Sequence, residues 1–405
     1  MIHTVLEKHV VRVLTFAQIL NGIGVAGTVA AGSLLVSSIT HSDSLAGLAQ
    51  TSAVLGAAAM ALPLSRLTER GGRRLALSIG YVIGVIGASL AIVGGTSRVM
   101  PILLLGTFLL GAASAAGYQA RFAAVDLASA DTRSRSLSIV VWGSTVGAVS
   151  GPNLMEPVGR LAHALGLPKL VGPYLLAVVT LALSALIIFY FLRPDPYLTS
   201  RHIASARVES DTRVSTRSTL KRIRKNSPAL FAVVSIAVGH LSMVTIMVMT
   251  PIHMAHVDVT LSVIGMVIST HIAGMYVLSP IVGYLSDKIG RKRVIQIGLA
   301  TLLLAAMIAG NSAGNSTIAL GIGLFLLGVG WSCTLIAGSA LLSESVGDEE
   351  RAASQGASDF IMNLTGAFGG VMAGIIIALL SYGWLCALAS LPVLLLAAWS
   401  YRLGK

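Results

Sequence analysis

The feature that most limits the fold of this chain is a series of twelve long, continuous apolar runs. They lie near residues 10–36, 45–64, 75–94, 101–124, 137–161 and 170–192, and again near 229–250, 261–285, 294–310, 317–342, 352–380 and 382–401. About 20 apolar residues in a helix cover a hydrocarbon core roughly 30 Å thick. The runs show no alternation with a period of two, which excludes the strands of a membrane barrel. Only 11% of the 405 residues are charged, against about 25% in a soluble domain. So apolar a chain is neither disordered nor collagen-like. The sequence predicts an all-α polytopic membrane protein with twelve transmembrane helices.

Lysine and arginine concentrate in cytoplasmic connections. With the N-terminus inside, only Arg98, Arg160 and Lys169 fall in outer segments. An even number of spans then places both termini in the cytoplasm, in a multi-pass protein of the cell (inner or plasma) membrane. The net charge of +12 belongs to the inner face and its anionic lipids, so the bilayer and not a nucleic acid is the expected macromolecular partner. The first run has no small-residue cleavage site before its end, and no cleavable signal is expected. The two cysteines, Cys333 and Cys386, lie in apolar runs and are too few for a disulfide framework.

The longest connection, 193–226, carries nine basic residues: Arg193, Arg201, Arg207, Arg213, Arg217, Lys221, Arg222, Arg224 and Lys225. Its low apolar content argues against a packed domain. The stretch from about Ser218 to Lys225 could form a surface helix on the cytoplasmic leaflet, although a plain basic linker also accounts for it. The expected organisation is a six-helix bundle over 1–192, a basic cytoplasmic linker over 193–226, and a second six-helix bundle over 227–405.

The two halves are related in sequence. Sliding the second back by 218 positions lays Asp287-Lys288-Ile289-Gly290-Arg291-Lys292 on Glu69-Arg70-Gly71-Gly72-Arg73-Arg74. The same offset pairs Glu344 with Asp126, Glu349 with Asp131, and Arg351 with Arg133. Two separate charge clusters matched by one offset imply two related bundles of the same membrane orientation.

The stretch Gly283-Tyr284-Leu285-Ser286-Asp287-Lys288-Ile289-Gly290-Arg291-Lys292-Arg293 resembles the signature loop between the second and third spans of major facilitator superfamily transporters. The resemblance covers nearly the whole chain. It implies two pseudo-symmetric bundles that rock about a cavity lined mainly by the first, fourth, seventh and tenth spans. The first-half copy departs from the pattern with Ser65 for the leading glycine and Glu69 for the aspartate. The lost glycine is expected to loosen helix contact there. Arginine stems at the inner interface can snorkel while their heads meet carboxylates on neighbouring helix ends. Glu69, Arg70, Arg73, Asp126, Arg133, Asp287, Arg291, Glu344 and Arg351 are therefore candidate members of a cytoplasmic charge latch. Topology anchoring is the simpler role for the same residues.

Ionisable groups inside a span are costly and mark candidate functional positions. Asp359 lies seven positions into the eleventh span and shares a helix face with Gln355 and Asn363. A carboxylate there could hold a proton or bind a cationic solute. His240 and His271 fall near the midplane of the seventh and eighth spans and could relay protons. Gln18 and Asn21 mark the middle of the first span, as substrate ligands or as interhelical hydrogen bonds. Tyr118, Gln119 and Trp142 lie nearer the inner mouth and could line a vestibule.

The fifth span carries Gly143, Gly147 and Gly151 at four-residue spacing, followed by Pro152. Small residues at that period permit close helix packing, and proline bends a helix by removing a backbone donor. The pattern is similar to one in facilitator-superfamily drug antiporters, although Met155 and Glu156 replace an expected glycine pair. On the fourth span Thr107 stands where those antiporters carry arginine, and Arg121 lies too near the inner surface to replace it.

No lysine or arginine is expected near a midplane, which disfavours multiply anionic substrates. No Gly-rich phosphate loop with lysine is present, so no cofactor is expected and a proton gradient is the expected energy source. His253, His256 and Asp258 are too sparse to predict a metal site, and no catalytic constellation is evident. The sequence therefore predicts a monomeric secondary transporter, not an enzyme. It would carry a small neutral or cationic, partly apolar solute, with proton-coupled efflux as the first expectation. Proton-coupled uptake of a nutrient or metabolite is the second, and a transport-dead membrane sensor the third.

Overall fold

A computed structural model describes residues 2–41, 47–205, 216–255, 261–312, 316–347 and 349–402. Fourteen α-helices are found among them. They are α1 (Ile2–Thr40), α2 (Leu48–Ser97), α3 (Met100–Ala123), α4 (Arg133–Ala164), α5 (Gly172–Phe191), α6 (Pro196–Ser205) and α7 (Thr216–Lys225). There follow α8 (Ser227–Ala255), α9 (Leu261–Tyr276), α10 (Ser279–Ile289), α11 (Arg291–Gly310), α12 (Thr317–Ser345), α13 (Arg351–Leu379) and α14 (Tyr382–Arg402). Helix is the form that satisfies every backbone donor and acceptor within one segment, as hydrocarbon requires. Large side chains such as Phe16, Leu183, Phe368 and Leu395 stand exposed on these helices, as befits contact with lipid tails.

Ten helical stretches among the described residues are long and apolar enough to cross a membrane. They cover eleven of the twelve expected runs, and α4, which falls outside the ten, covers the other. The 50-residue α2 holds two of the eleven, divided at Gly72. The 32-residue α4 is the least apolar of the long helices. Pro101, Pro173 and Pro280 open α3, α5 and α10, where the missing N–H would have had no helical partner.

Gly72 and Gly290, one repeat apart, have φ of +82° and +97°. That left-handed geometry admits glycine with little strain. It breaks α2 and separates α10 from α11, so that the arginine following each glycine begins a new helix.

The chain divides into two compact units. The first comprises Met1–Ala128, Gly143–Thr216 and Asp348–Phe360. The second comprises Ser129–Trp142, Arg217–Gly347 and Ile361–Lys405. The unit boundaries thus cut α4 after Trp142 and α13 after Phe360.

In the first unit, Gly147 of α4 lies against the backbone of Gly22 on α1, and Gly151 against Ala26 and Gly27. The side chain of Pro152 lies outside the described residues. In the second unit, α12 packs against α8, α9 and α11.

The two starting segments of α4 and α13 are gripped in related ways. In the second unit, the space beside Gly283 is filled by Ser138 of α4. In the first unit, the space beside Gly356 of α13 is filled by Ser65. Ser65 is the repeat partner of Gly283, and Gly356 that of Ser138. The small and hydroxyl residues have exchanged sides, so close contact survives the loss of glycine at position 65. The expected loosening does not occur. Gly356→Ser should therefore cost about 1–3 kcal/mol through overpacking. Adding Ser65→Gly should recover most of that loss, measured as denaturant stability in detergent. An equal cost in both backgrounds would refute the compensation.

Candidate functional site

In the first unit two arginines are withdrawn from solvent. Arg73, fully buried at the start of the helix after Gly72, donates from Nε to Asp126 Oδ2 at 2.7 Å and from Nη2 to Asp126 Oδ1 at 3.2 Å. Its Nη2 also donates to Gln355 Oε1 on α13. The ring of Tyr197 lies 5.7 Å from the guanidinium carbon. Asp195 fixes the loop itself. Its Oδ2 accepts the Arg74 backbone N–H at 2.7 Å, and its Oδ1 accepts the N–H groups of Tyr197 and Leu198 at the start of α6. Charge-assisted bonds of this kind are among the stronger ones in a low-dielectric interior.

The second pair lies on α3 and α13. Arg121 Nη2 donates to Asp359 Oδ1 at 2.5 Å, and both side chains are almost wholly buried. Arg121 also donates to the Tyr118 carbonyl at 2.9 Å, and its guanidinium lies 4.5 Å from the Phe122 ring centroid. Counting residues from the helix end placed Arg121 at the surface. The structure buries it, because its long side chain turns inward to a carboxylate on another helix.

Nearby in this unit, Gln18 Nε2 donates to Ser144 Oγ at 2.9 Å. Asn21 is buried next to Gly117 of α3. Gln119 does not line a vestibule: it is buried and donates to the Ala61 carbonyl at 2.8 Å, tying α3 to α2. Tyr118 is half-buried beside Arg121.

The second unit holds the related cluster. Asp287 accepts the backbone N–H groups of Ser134 and Arg135 at 3.0 and 2.8 Å, capping the start of α4. Arg291 donates to Glu344 at 2.7 Å, approaches Asp287 at 3.0 Å, and donates to the Ala130 carbonyl. Arg133 lies 3.6 Å from Glu344. The clusters are not identical. Glu69, the repeat partner of Asp287, holds its Oε1 buried without a hydrogen-bond partner among the described residues. Arg70 stays exposed, and Arg351 is half-buried at the start of α13.

The two histidines occupy different sites in this unit. Trp331 Nε1 donates to His240 Nδ1 at 3.1 Å, and Tyr276 packs edge-on to Trp331 with ring centroids 5.8 Å apart. His271 Nδ1 lies 2.8 Å from the Leu324 carbonyl and therefore carries the proton. Asn363 is buried in the second unit, two turns along α13 from Gln355 in the first. Trp142 is exposed at the end of its segment. Among the described residues no group of three His, Cys, Asp or Glu side chains could hold a metal, and His256 and Asp258 lie outside them.

Sequence reasoning missed Arg121 as a partner of Asp359, and it missed Trp331, Asp195 and Tyr197. The Arg-Pro-Asp-Pro-Tyr stretch at 193–197, directly after the sixth apolar run, was the available signal for the last two.

A duplicated set of membrane-crossing helices, with arginine–carboxylate clusters at matching loops and polar groups buried in the spans, defines a multi-pass carrier of small solutes. The comparisons with known proteins agree. The family model for the Major Facilitator Superfamily matches residues 14–255 and 233–404. The chain belongs to that superfamily, whose members are transporters and not enzymes. It is 37% identical over 391 residues to "Uncharacterized MFS-type transporter YdeG" of Bacillus subtilis (strain 168), covering 96% of this chain and 91% of that one. It is 27% identical over 374 residues to the riboflavin transporter RfnT of Brucella anthropi, covering 92% and 89%. Among solved structures, the proton:xylose symporter XylE superposes with a TM-score of 0.75 at 16% identity, covering 100% of this chain and 97% of that one. The protein is a secondary transporter that binds a small-molecule solute within the membrane.

Removing one partner of a buried ion pair strands the other charge. Asp126→Asn should destabilise the protein by about 3–5 kcal/mol, because the fully buried Arg73 loses the only carboxylate bonds it makes among the described residues. Arg70→Gln, at an exposed position, should change stability by less than about 0.5 kcal/mol. Unfolding of the two variants in detergent, side by side, checks the contrast.

Proposed function

We propose that the chain moves a neutral or cationic, partly apolar solute by alternating access, coupled to protons, with export as the favoured direction. The observation that carries this reading is the buried pair of Arg121 and Asp359. Neutralising a carboxylate removes the attraction that holds its arginine, so a proton arriving at Asp359 weakens the tie between α3 and α13. The Arg73 contact to Gln355, one turn away on α13, belongs to the same grip. Proton binding then acts on the start of α13 as a whole, and the pairs made by Asp287, Arg291 and Glu344 act similarly on the start of α4. A latch of this kind has two discrete arrangements, as a carrier needs. Gln18, Asn21, Tyr118, Trp142, His240, His271 and Asn363 are the further polar or aromatic groups proposed for solute and proton contact.

Pairing within the site supports a substrate of low negative charge. Arg121 and Arg73 are each already neutralised by a carboxylate, so neither offers an unbalanced charge to an anion. Proton-coupled uptake of a metabolite is the second reading, favoured by the relative that transports riboflavin, a neutral and partly aromatic solute. Riboflavin is accordingly the first probe. The work of both readings is placed in the cell membrane, with both termini in the cytoplasm.

In proteoliposomes with an imposed pH gradient, transport of the probe, or of a solute found by thermal-shift screening, should depend on the gradient. The side that must be acid separates antiport from symport. Asp359→Asn should abolish gradient-driven transport and leave solute exchange at equal pH within about threefold of the parent. Unchanged gradient-driven transport in that variant removes Asp359 from the mechanism.

A further inference from the structure

The short helix α7 plays no part in the clusters described above. It carries Lys221, Arg222, Arg224 and Lys225 on exposed positions and has no acidic side chain. Lys221, Arg224 and Lys225 enter no ion pair among the described residues. Such a concentration of like charge repels itself unless an anion balances it.

The helix is nonetheless held in a fixed place. Ile223 is buried in a cluster with Ala229, Ala232, Val233 and Leu342. One residue, Asn226, separates α7 from α8, which crosses the membrane. The Asn226 backbone N–H donates to the Arg222 carbonyl at 3.0 Å, which closes the last turn of α7. Its Nδ2 donates to the Ser345 carbonyl at 2.7 Å, at the end of α12, and its Oδ1 accepts the Ala229 N–H at 3.1 Å in the first turn of α8. The anchor and the turn together leave α7 no room to swing away from the level at which α8 starts.

We propose that α7 is a docking surface for the phosphate groups of anionic phospholipids, in the leaflet at which α8 begins. The inference rests on α8 crossing the bilayer and is independent of the substrate and of proton coupling. A ten-residue helix is about 15 Å long. With one end fixed at the start of a spanning helix, its cations lie within about one or two screening lengths of the lipid phosphates at physiological salt. Leu220, one turn before the buried Ile223, is 43% exposed. An exposed leucine beside a row of cations suits the boundary between headgroups and acyl chains, where amphipathic surface helices lie. An acidic protein would match the cations but would leave Leu220 unexplained.

The test uses the full chain in nanodiscs, one set of phosphatidylcholine and one with about one third phosphatidylglycerol. Hydrogen exchange is followed at the backbone amides of residues 216–226. Each cation near an anionic surface adds roughly a fivefold preference. Exchange in the parent protein should therefore slow by at least about tenfold in the anionic discs. The triple variant K221Q/R224Q/K225Q, which keeps Arg217 and Arg222, should lose most of the difference between discs, with an unchanged unfolding temperature in detergent. Salt at about 1 M, where the screening length falls to roughly 3 Å, should erase the parent's difference without any mutation. Equal exchange of the parent in both discs overturns the proposal. So does a triple variant that keeps the full slowing, or slowing that survives high salt. Stronger protection by soluble poly-glutamate in neutral discs than by phosphatidylglycerol also overturns it and assigns the surface to an acidic protein.

Discussion

A guanidinium group removed from water is tolerable only where carboxylates and carbonyls replace its hydration. Arg73 and Arg121 are both in that position, and neither finds its full set of partners on its own helix or on a sequence neighbour. Arg73 needs Asp126, more than fifty residues on, and Gln355 in the other sequence half. Arg121 needs Asp359. The first turns of α13 are therefore drawn into the first unit by the electrostatic requirement of two arginines. The start of α4 is drawn into the second unit by Asp287 and Arg291. The compact units depart from the sequence halves at the two places where buried or half-buried charge is answered.

The repeat makes the physics of these two grips comparable. Each uses a left-handed glycine to start a helix with an arginine, and each aims that arginine at an acid at or just past the far end of the next helix. The differences show what is free to vary. Glycine and serine exchange sides between positions 65 and 356 and positions 283 and 138, because only the summed volume across the contact is constrained. Asp287 reaches two backbone donors of α4. Glu69, longer by one methylene, makes no such bond among the described residues. The first grip is instead reinforced from α6, through Asp195 on the loop backbone and Tyr197 on Arg73. It is the more enclosed of the two, with both members of its ion pair fully buried, whereas Glu344 is about a quarter exposed.

Much of the fold was legible from residue order. Apolar runs near 20 residues specify spanning helices because hydrocarbon offers the backbone no other partner. One offset aligned Glu69–Arg74 and Asp126 with Asp287–Lys292 and Glu344 and so revealed the duplication. Asp359 and Gln355 were visible as polar residues on one face of an apolar helix. Their partners were not visible. Depth along a helix locates a Cα atom, while the head of Arg121 lies several bonds away in a direction set by the rotation of α3. Gln119, at similar depth, turned out to join α3 to α2.

Sequence by itself thus determined that this chain crosses a membrane as helices, that it is built twice, and which loops carry the matched charges. Those properties follow from local hydrophobicity and from order along the chain. Tertiary structure alone decided which arginine meets which carboxylate, and that Gln355 and Asp359 of α13 belong to the first unit while Asn363 belongs to the second. Such choices depend on how helices rotate and pack in three dimensions, and neighbouring residues in the sequence do not encode them.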